Sequence, residues 1–368
     1  MFKILSKSKQ LLGAFFILSA SFHSFATLEI VITEGVDTSR PIGIVPFKWI
    51  GEGVMPEKLT RVIAADLRRS GKFNPIAISE MPQLPTSDNE LDYSAWASKG
   101  IEAVLVGQVE LTGVDRYTVS YELVDVLRGQ ITGGQSQVLS GGKLVASSDH
   151  ILAVSKMTIS GDDFRRHSHR ISDVVYEKLT GERGAFLTRI AYVIVRDSKQ
   201  HDLPFQMIVA DYDGANETTL LRSREPLMSP SWSPDGTKLA YVSFENKRPQ
   251  IFIQDIYTMN RTQMTNFPGI NGSPKFSPDG VTLYYNSNRE GSTQIWSMRS
   301  DGVGPSTQVT LHSETNTIED ITDDGKQLIY RSVREAPGKS PYRLFSQDVA
   351  GLEPEKMLFD ASAKSGKL

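Results

Sequence analysis

The sequence predicts an α/β (or α+β) domain followed by a β-propeller, and three observations carry that prediction. First, "SPSWSPDGTKLAYVSF" (Ser229–Phe244) returns 44 residues later as "SPKFSPDGVTLYYNSN" (Ser273–Asn288). Second, strand and helix patterns alternate up to Gly181. Third, helical patterns stop at Arg189, and only short strands and turns follow. The chain has 368 residues, enough for roughly two domains of ~150 residues each.

The first residues read as an export signal. Lys3, Lys7 and Lys9 make a basic start, Leu11–Leu18 is a short apolar run, and Ser24–Ala26 supplies small residues at a cleavage site. The expected divisions are a signal at 1–26, an α/β domain at 27–181, a linker at 182–188 and the propeller at 189–368. Cleavage would make Thr27 the first residue of an exported mature chain. Losing the three signal lysines makes it more acidic than the formal −3 of the whole chain, which argues against nucleic-acid binding. There is no cysteine, so a disulfide framework and thiol chemistry are excluded.

Within 27–181, Leu28–Ile32 and Pro41–Phe47 read as strands. Leu59, Val62, Ile63 and Leu67 recur at helical spacing, with Pro56 expected in the first turn and Gly71 as the stop. Ala103–Leu111 and Tyr117–Val126 are strands. Thr132–Ser148 is rich in Gly, Ser and Gln and reads as a hairpin tip or mobile loop. Asp162 or Asp163 can cap a helix running to Lys178. Phe164, Ile171, Val174, Val175 and Leu179 lie on or near one face, and Gly181 ends it.

The repeat explains the second half. Pro-Asp-Gly recurs at Pro234–Gly236 and Pro278–Gly280, and a weaker "TDDG" follows at Thr322–Gly325. Each is followed by a hydrophobic strand, and further strands follow that. A period near 44 with four strands per period is the mark of a propeller, because one sheet cannot cover both of its apolar faces alone. Pro presets φ, Asp bonds nearby N–H groups and Gly takes the left-handed conformation. These six residues are therefore read as structural. Trp232 and Phe276 are expected to pack between blades.

No catalytic constellation emerges. There is no G-x-S-x-G, no H-E-x-x-H and no complete phosphate loop. His167 and His169 are two apart on a helix, point to different faces, and stand among Arg165, Arg166 and Arg170. They read as a solvated basic face and not as a metal site. Asp323 and Asp324 read as a turn and not as a calcium loop. No cofactor, metal or small-molecule substrate is expected.

At this point the residues resemble a known family, that of TolB in the Tol–Pal envelope system. The resemblance is carried by Glu29–Phe47, Val62–Ile76, Glu102–Val109, "VYEKLTGERGAFLTRIAYV" (Val175–Val193), "DYDGAN" (Asp211–Asn216), Pro226–Glu245 and Phe276–Tyr285. It implies a non-enzymatic periplasmic scaffold, monomeric alone, with a six-bladed propeller; only about four blades are recognisable in Arg189–Leu368. It also implies a TolA contact through the mature N-terminus: Thr27, Leu28, Glu29, Ile30, Val31, Ile32, Thr33, Glu34, Gly35, Val36, Asp37 and Thr38. A second contact, with the lipoprotein Pal, is implied at inter-blade loops, where Met228, Ile270, Asn271, Ser273 and Thr317 are the candidates. The resemblance links these contacts to outer-membrane integrity and cell division. Two alternatives stand beside it. One is a divergent exported propeller that binds another protein or a glycan, or a shortened relative without Pal binding. The other is a hydrolase-associated propeller, against which the missing nucleophile motif counts.

Overall fold

The computed structural model describes residues 39–134, 136–140, 143–334, 342–351 and 353–360. The expected signal, the expected strand at Leu28–Ile32 and the whole Thr27–Thr38 contact lie outside the described residues. No helix among the described residues is long and apolar enough to cross a membrane.

The first body is built on a six-stranded mixed sheet. Its early elements are β1 (Arg40–Ile44), β2 (Lys48–Ile50), α1 (Leu59–Arg69), β3 (Phe73–Pro75), α2 (Tyr93–Ala97), β4 (Ala103–Gly113) and β5 (Arg116–Asp125). Then come α3 (Val126–Thr132), the hairpin β6 (Ser136–Ser140) and β7 (Lys143–Ser147), β8 (Ile151–Ile159) and α4 (Phe164–Thr180). The strand order is β3-β1-β4-β5-β8, with β2 beside β4. Strands β1, β3 and β4 run parallel, while β4, β5 and β8 are antiparallel neighbours. Both sheet faces are covered. Leu105 and Val109 join Ile63 and Leu67 of α1 and Ile171 and Val175 of α4 in one core. Val104 and Val106 face the other way, onto Trp96 and Val126. The alternation along β4 is the period-two pattern of a sheet buried on both sides.

Several sequence expectations need correction here. Pro56 is not in α1, whose N-cap is Lys58. Asp163 precedes α4 without capping it through its side chain; its carboxylate accepts from Ser160 Oγ at 2.7 Å instead. The Gly/Ser-rich stretch holds the β6–β7 hairpin, and β8, which the sequence reading missed, forms a long edge of the sheet. Gly181 does end α4, at φ +79°.

The second body is all β. The first sheet holds β9 (Arg189–Val195), β10 (Phe205–Asp211) and β11 (Thr218–Ser223). The second holds β12 (Leu227–Trp232), β13 (Lys238–Ser243), β14 (Gln250–Asp255) and β15 (Arg261–Gln263). The third holds β16 (Asn271–Phe276), β17 (Thr282–Ser287), β18 (Gln294–Arg299) and β19 (Thr307–Gln308). The fourth holds β20 (Thr315–Ile321), β21 (Gln327–Val333), β22 (Tyr342–Asp348) and β23 (Lys356–Asp360). Every sheet is an antiparallel meander in chain order.

Neighbouring sheets bury each other as the repeat requires. Met207 and Val209 of the first meet Leu239, Tyr241 and Phe252 of the second, with Trp232 packed at the seam. Val242 and Ile253 meet Leu283, Trp296 and Met298 of the third, with Phe276 at that seam. Ile295 meets Ile318, Leu328, Tyr330 and Phe345 of the fourth. This is the blade stacking of a β-propeller. Among the described residues no strand of the fourth sheet pairs with β9.

The turns after β12, β16 and β20 are copies of one another. Ser233, Ser277 and Thr322 each donate a hydroxyl hydrogen bond to Asp235, Asp279 and Asp324 (2.5–2.6 Å). Those contacts, together with the N–H groups of Thr237, Val281 and Lys326, hold all three carboxyls below their usual range. The glycines that follow sit at φ +67°, +73° and +71°, where a β-carbon is strained. Gly280 and Gly325 also lie against Pro234 and Pro278 of the preceding turn, so the turns pack as a row.

Candidate interaction surfaces

The propeller has two faces, distinguished by which ends of the strands they carry. The Pro-Asp-Gly turns lie on one. The turn after β10 lies on the same face, because Asp211 pairs with Arg189 at the start of β9, and Arg189 Nη2 donates to Gly236 O at 3.0 Å. The starts of β12, β16 and β20 lie on the opposite, loop face.

The turn face carries the first body. Tyr212 and Asp213, in the turn after β10, insert between α1 and α4. Tyr212 packs edge-on against Phe186 and His169, and its hydroxyl donates to Asp66 Oδ1 at 2.6 Å. Asp66 is fully buried and also meets Ser172 Oγ and His169 Nδ1, each at 2.7 Å, and Arg69 Nη1 at 3.2 Å. Asp213 takes a close ion pair from Arg165, whose other arm reaches Glu57 Oε1 at 3.1 Å. Burial works against the charge on Asp213. The Ala215 N–H, Arg165, His169 and Arg69 outweigh it and hold that carboxyl below its usual value. Burial first, then the bond to Asp66, pushes the Tyr212 phenol well above its usual value.

This corrects the reading of the α4 histidines. His167 and His169 are both buried, 3% and 2% exposed, because the helix is covered by the sheet, by α1 and by the Tyr212–Asp213 knob. Asp66, His169 and Asp213 do bring ligand-type atoms within 4.8 Å of one another. His169, however, turns Nδ1 to Asp66 and Nε2 to Asp213, 3.9 Å away, so one ion could not take a single imidazole donor on behalf of both carboxylates. Arg165 and Arg69 already supply positive charge there. The arrangement is a polar clamp between the two bodies.

The stretch at 182–188 fixes the approach to the clamp. Asp173 Oδ1 accepts from the Phe186 N–H at 2.8 Å, and a β-carbon at Gly184 would come within 2.3 Å of that same oxygen. Gly184 therefore permits the close pass that sets Phe186 between Tyr176 and Tyr212.

On the loop face the five residues expected at loop tips are placed differently. Met228, Asn271, Ser273 and Thr317 lie in the inner strands, and Ile270 immediately precedes β16. Met228 and Ile270 are 52% and 58% exposed. Ser229 and Ser273 have φ of +51° and +50°, at bulges that shift the register of β12 and β16. Ser273 and Thr317 are half-buried. Asn271 is fully buried, and its Nδ2 reaches Phe267 O at 3.1 Å while its Oδ1 accepts from Ser287 Oγ at 2.8 Å. Asn271 is not a free contact residue but part of a clasp. Gln250 Oε1 accepts from Thr265 Oγ1 at 2.7 Å and from Asn271 at 3.4 Å. Gln294, Thr310 and Asn316 repeat that set one blade on, at 2.7 and 2.9 Å. The signal was legible: Gln, Thr and Asn return at intervals of 44–45 residues, in step with Pro-Asp-Gly.

An α/β body clamped to the turn face of a β-propeller defines a two-body propeller protein. A model of the TolB amino-terminal domain matches residues 28–132, and a model of the TolB β-propeller domain matches residues 176–365. The chain belongs to the TolB family. It is 48% identical over 246 residues to a Tol-Pal system protein TolB of Histophilus somni (strain 2336), covering 67% of this chain and 52% of that one. A Tol-Pal system protein TolB of Pasteurella multocida (strain Pm70) is 43% identical over 271 residues, 74% of this chain and 58% of the relative. The chain thus spans about half the length of the curated relatives it matches. The crystal structure of TolB from Acinetobacter baumannii aligns with a TM-score of 0.56 at 28% identity, over 88% of this chain and 84% of that one.

Proposed function

We propose that the protein is a non-enzymatic scaffold of the Tol–Pal system, exported to the periplasm and divided as the sequence suggests at 27–181, 182–188 and 189–368. The N-terminal segment Thr27–Thr38 engages a TolA-type inner-membrane protein. The loop face engages the lipoprotein Pal through Met228, Ile270, Ser273 and Thr317, with Asn271 holding the backbone beneath them. The chain would thereby connect the two membranes and support envelope integrity and constriction. The observation that carries this reading is the division of labour between the faces. Charged and aromatic groups commit the turn face to the first body, whereas the loop face exposes two large apolar side chains beside bulged strands. Exposed apolar groups rimmed by polar residues suit protein docking. A segment with β-branched alternation, as in "EIVIT", suits addition to a partner's sheet edge.

The test is one deletion and one double substitution, read against two partners. Removing Thr27–Thr38 should abolish capture of TolA while leaving titration with soluble Pal unchanged. Met228→Ala with Ile270→Ala should do the reverse. Unchanged TolA capture by the truncated chain would end the first assignment. A folded chain that shows no Pal binding would favour a divergent propeller with another protein or glycan as its ligand.

A further inference from the structure

An unexplained group of basic side chains lies on the first body, away from both proposed contacts. Arg166, His167 and Arg170 occupy one face of α4 and line an open cleft with Met157, Thr158, Ile159 and Asp163. His167 is 3% exposed, and neither of its ring nitrogens has a hydrogen-bond partner. A buried polar group without a partner costs free energy, and His167 is such a group in the lining of this cleft, which calls for a ligand. Among the described residues no ion pair within 4 Å joins either guanidinium to a carboxylate; Arg170 Nη1 meets the Met157 sulfur at 3.6 Å, and its charge acts on the Tyr121 phenol of β5. This contrasts with Arg165 on the adjacent face, which is paired twice. Asp163 is the one acid lining the cleft. One of its carboxylate oxygens is already engaged by Ser160 Oγ. The cleft lies beside the first turns of α4, a 17-residue helix whose N-terminal dipole end favours negative charge.

The geometry points to an oxyanion site of the phosphate type in this cleft, with Arg166 and Arg170 as forked donors and His167 as the buried third donor. Arginine forks match phosphate oxygens in pairs, and a tetrahedral dianion offers enough acceptors for all three groups. Burial, then the charge of Arg170, keeps the free His167 imidazole below its usual pKa, with Asp163 opposing weakly. Those charged groups belong to α4 or the turn before it; Met157, Thr158 and Ile159 of β8 add none, and β5 contributes the Tyr121 phenol, which burial keeps neutral and which feels the charge of Arg170. A bound dianion therefore raises the His167 pKa, and proton and anion binding reinforce each other. The phosphate group could be free or part of a lipid headgroup, and both sources present the same chemistry.

The experiment uses the full chain and inorganic phosphate at fixed ionic strength, read by calorimetry and by the His167 ring resonances. The expected result is saturable binding that shifts those resonances toward the protonated form. Arg166→Gln and Arg170→Gln should each weaken it about tenfold, the loss of one charge-assisted hydrogen-bond donor. Arg222→Gln, at an exposed position of β11, should leave it unchanged. Vesicles with and without phosphatidylglycerol then separate the sources: retention lost in the same two variants identifies a headgroup, and no retention identifies the free anion. No movement of the His167 resonances, or equal weakening by Arg222→Gln, would overturn the proposal.

Discussion

The two ends of the inner strands β12, β16 and β20 come from the same repeat and do opposite work. At the turn end the three copies match atom for atom: hydroxyl to aspartate, aspartate to backbone N–H, glycine at positive φ. At the loop end the copies diverge. Met228 is followed at the equivalent positions by Gly272 and Thr317, and Ile270 corresponds to Pro226 and Thr315. Repetition marks the residues that build the disc. Departure from repetition, where the side chain is also exposed, marks residues whose identity no packing demand explains.

That contrast can be broken at the turn face first. Asp213→Ala leaves Arg165 without its close partner and removes the ion pair linking the bodies. It should cost about 3 kcal/mol in chemical denaturation, the scale of breaking a largely buried pair. It should also open the 182–188 stretch to proteolysis. The same residue sets an acid dependence. Its carboxyl is held below the unfolded value, so its stabilisation is complete above roughly pH 4 and is lost as pH falls through the folded value. Glu355, held at about 2 chiefly by Arg334, adds a dependence of the same sign in the fourth sheet, lost as pH falls from its unfolded value toward about 2. Stability followed against pH should therefore fall in the acid range, and Asp213→Asn should reduce that dependence.

The next comparison sets one glycine of each face against the other. Gly280→Ala must adopt φ +73° and should cost about 1–2 kcal/mol by thermal or chemical unfolding. Gly272→Ala, at the loop end, has negative φ and would meet only an ordinary contact at 3.7 Å from Val242, so a change within about 0.5 kcal/mol is expected. Equal losses would erase the distinction between the ends. The smallest effect on stability belongs to Met228→Ala and Ile270→Ala. Both are exposed, and each should leave unfolding unchanged within about 0.5 kcal/mol.

Legibility in the sequence followed the same division. Pro-Asp-Gly could be read because its chemistry is local and its period fixed. The helix α4 could be bounded because Gly181 is a local stop signal. Strand β8 escaped because it follows the Gly/Ser-rich stretch and carries three consecutive exposed residues, Lys156–Thr158, that blur its alternation. His167 and His169 read as solvated because three arginines neighbour them, and the structure buries both. The burial of His169 comes from Asp66 and Tyr212, 103 residues before it and 43 after, which no local pattern reports. Asn271 reads as a loop-face contact by its position near the loop, yet Gln250, Thr265 and Asn271 recur as Gln294, Thr310 and Asn316. Applied beyond the turns, the repeat would have marked Asn271 as scaffold.

The most direct measurement is calorimetric titration of soluble Pal into the chain, beside the Met228→Ala/Ile270→Ala double variant and Gly272→Ala. The proposed Pal contact at the two exposed apolar side chains predicts binding by the unmodified chain and a loss of tenfold or more in the double variant, with melting temperatures unchanged. Equal affinity for the unmodified chain and the double variant would contradict it.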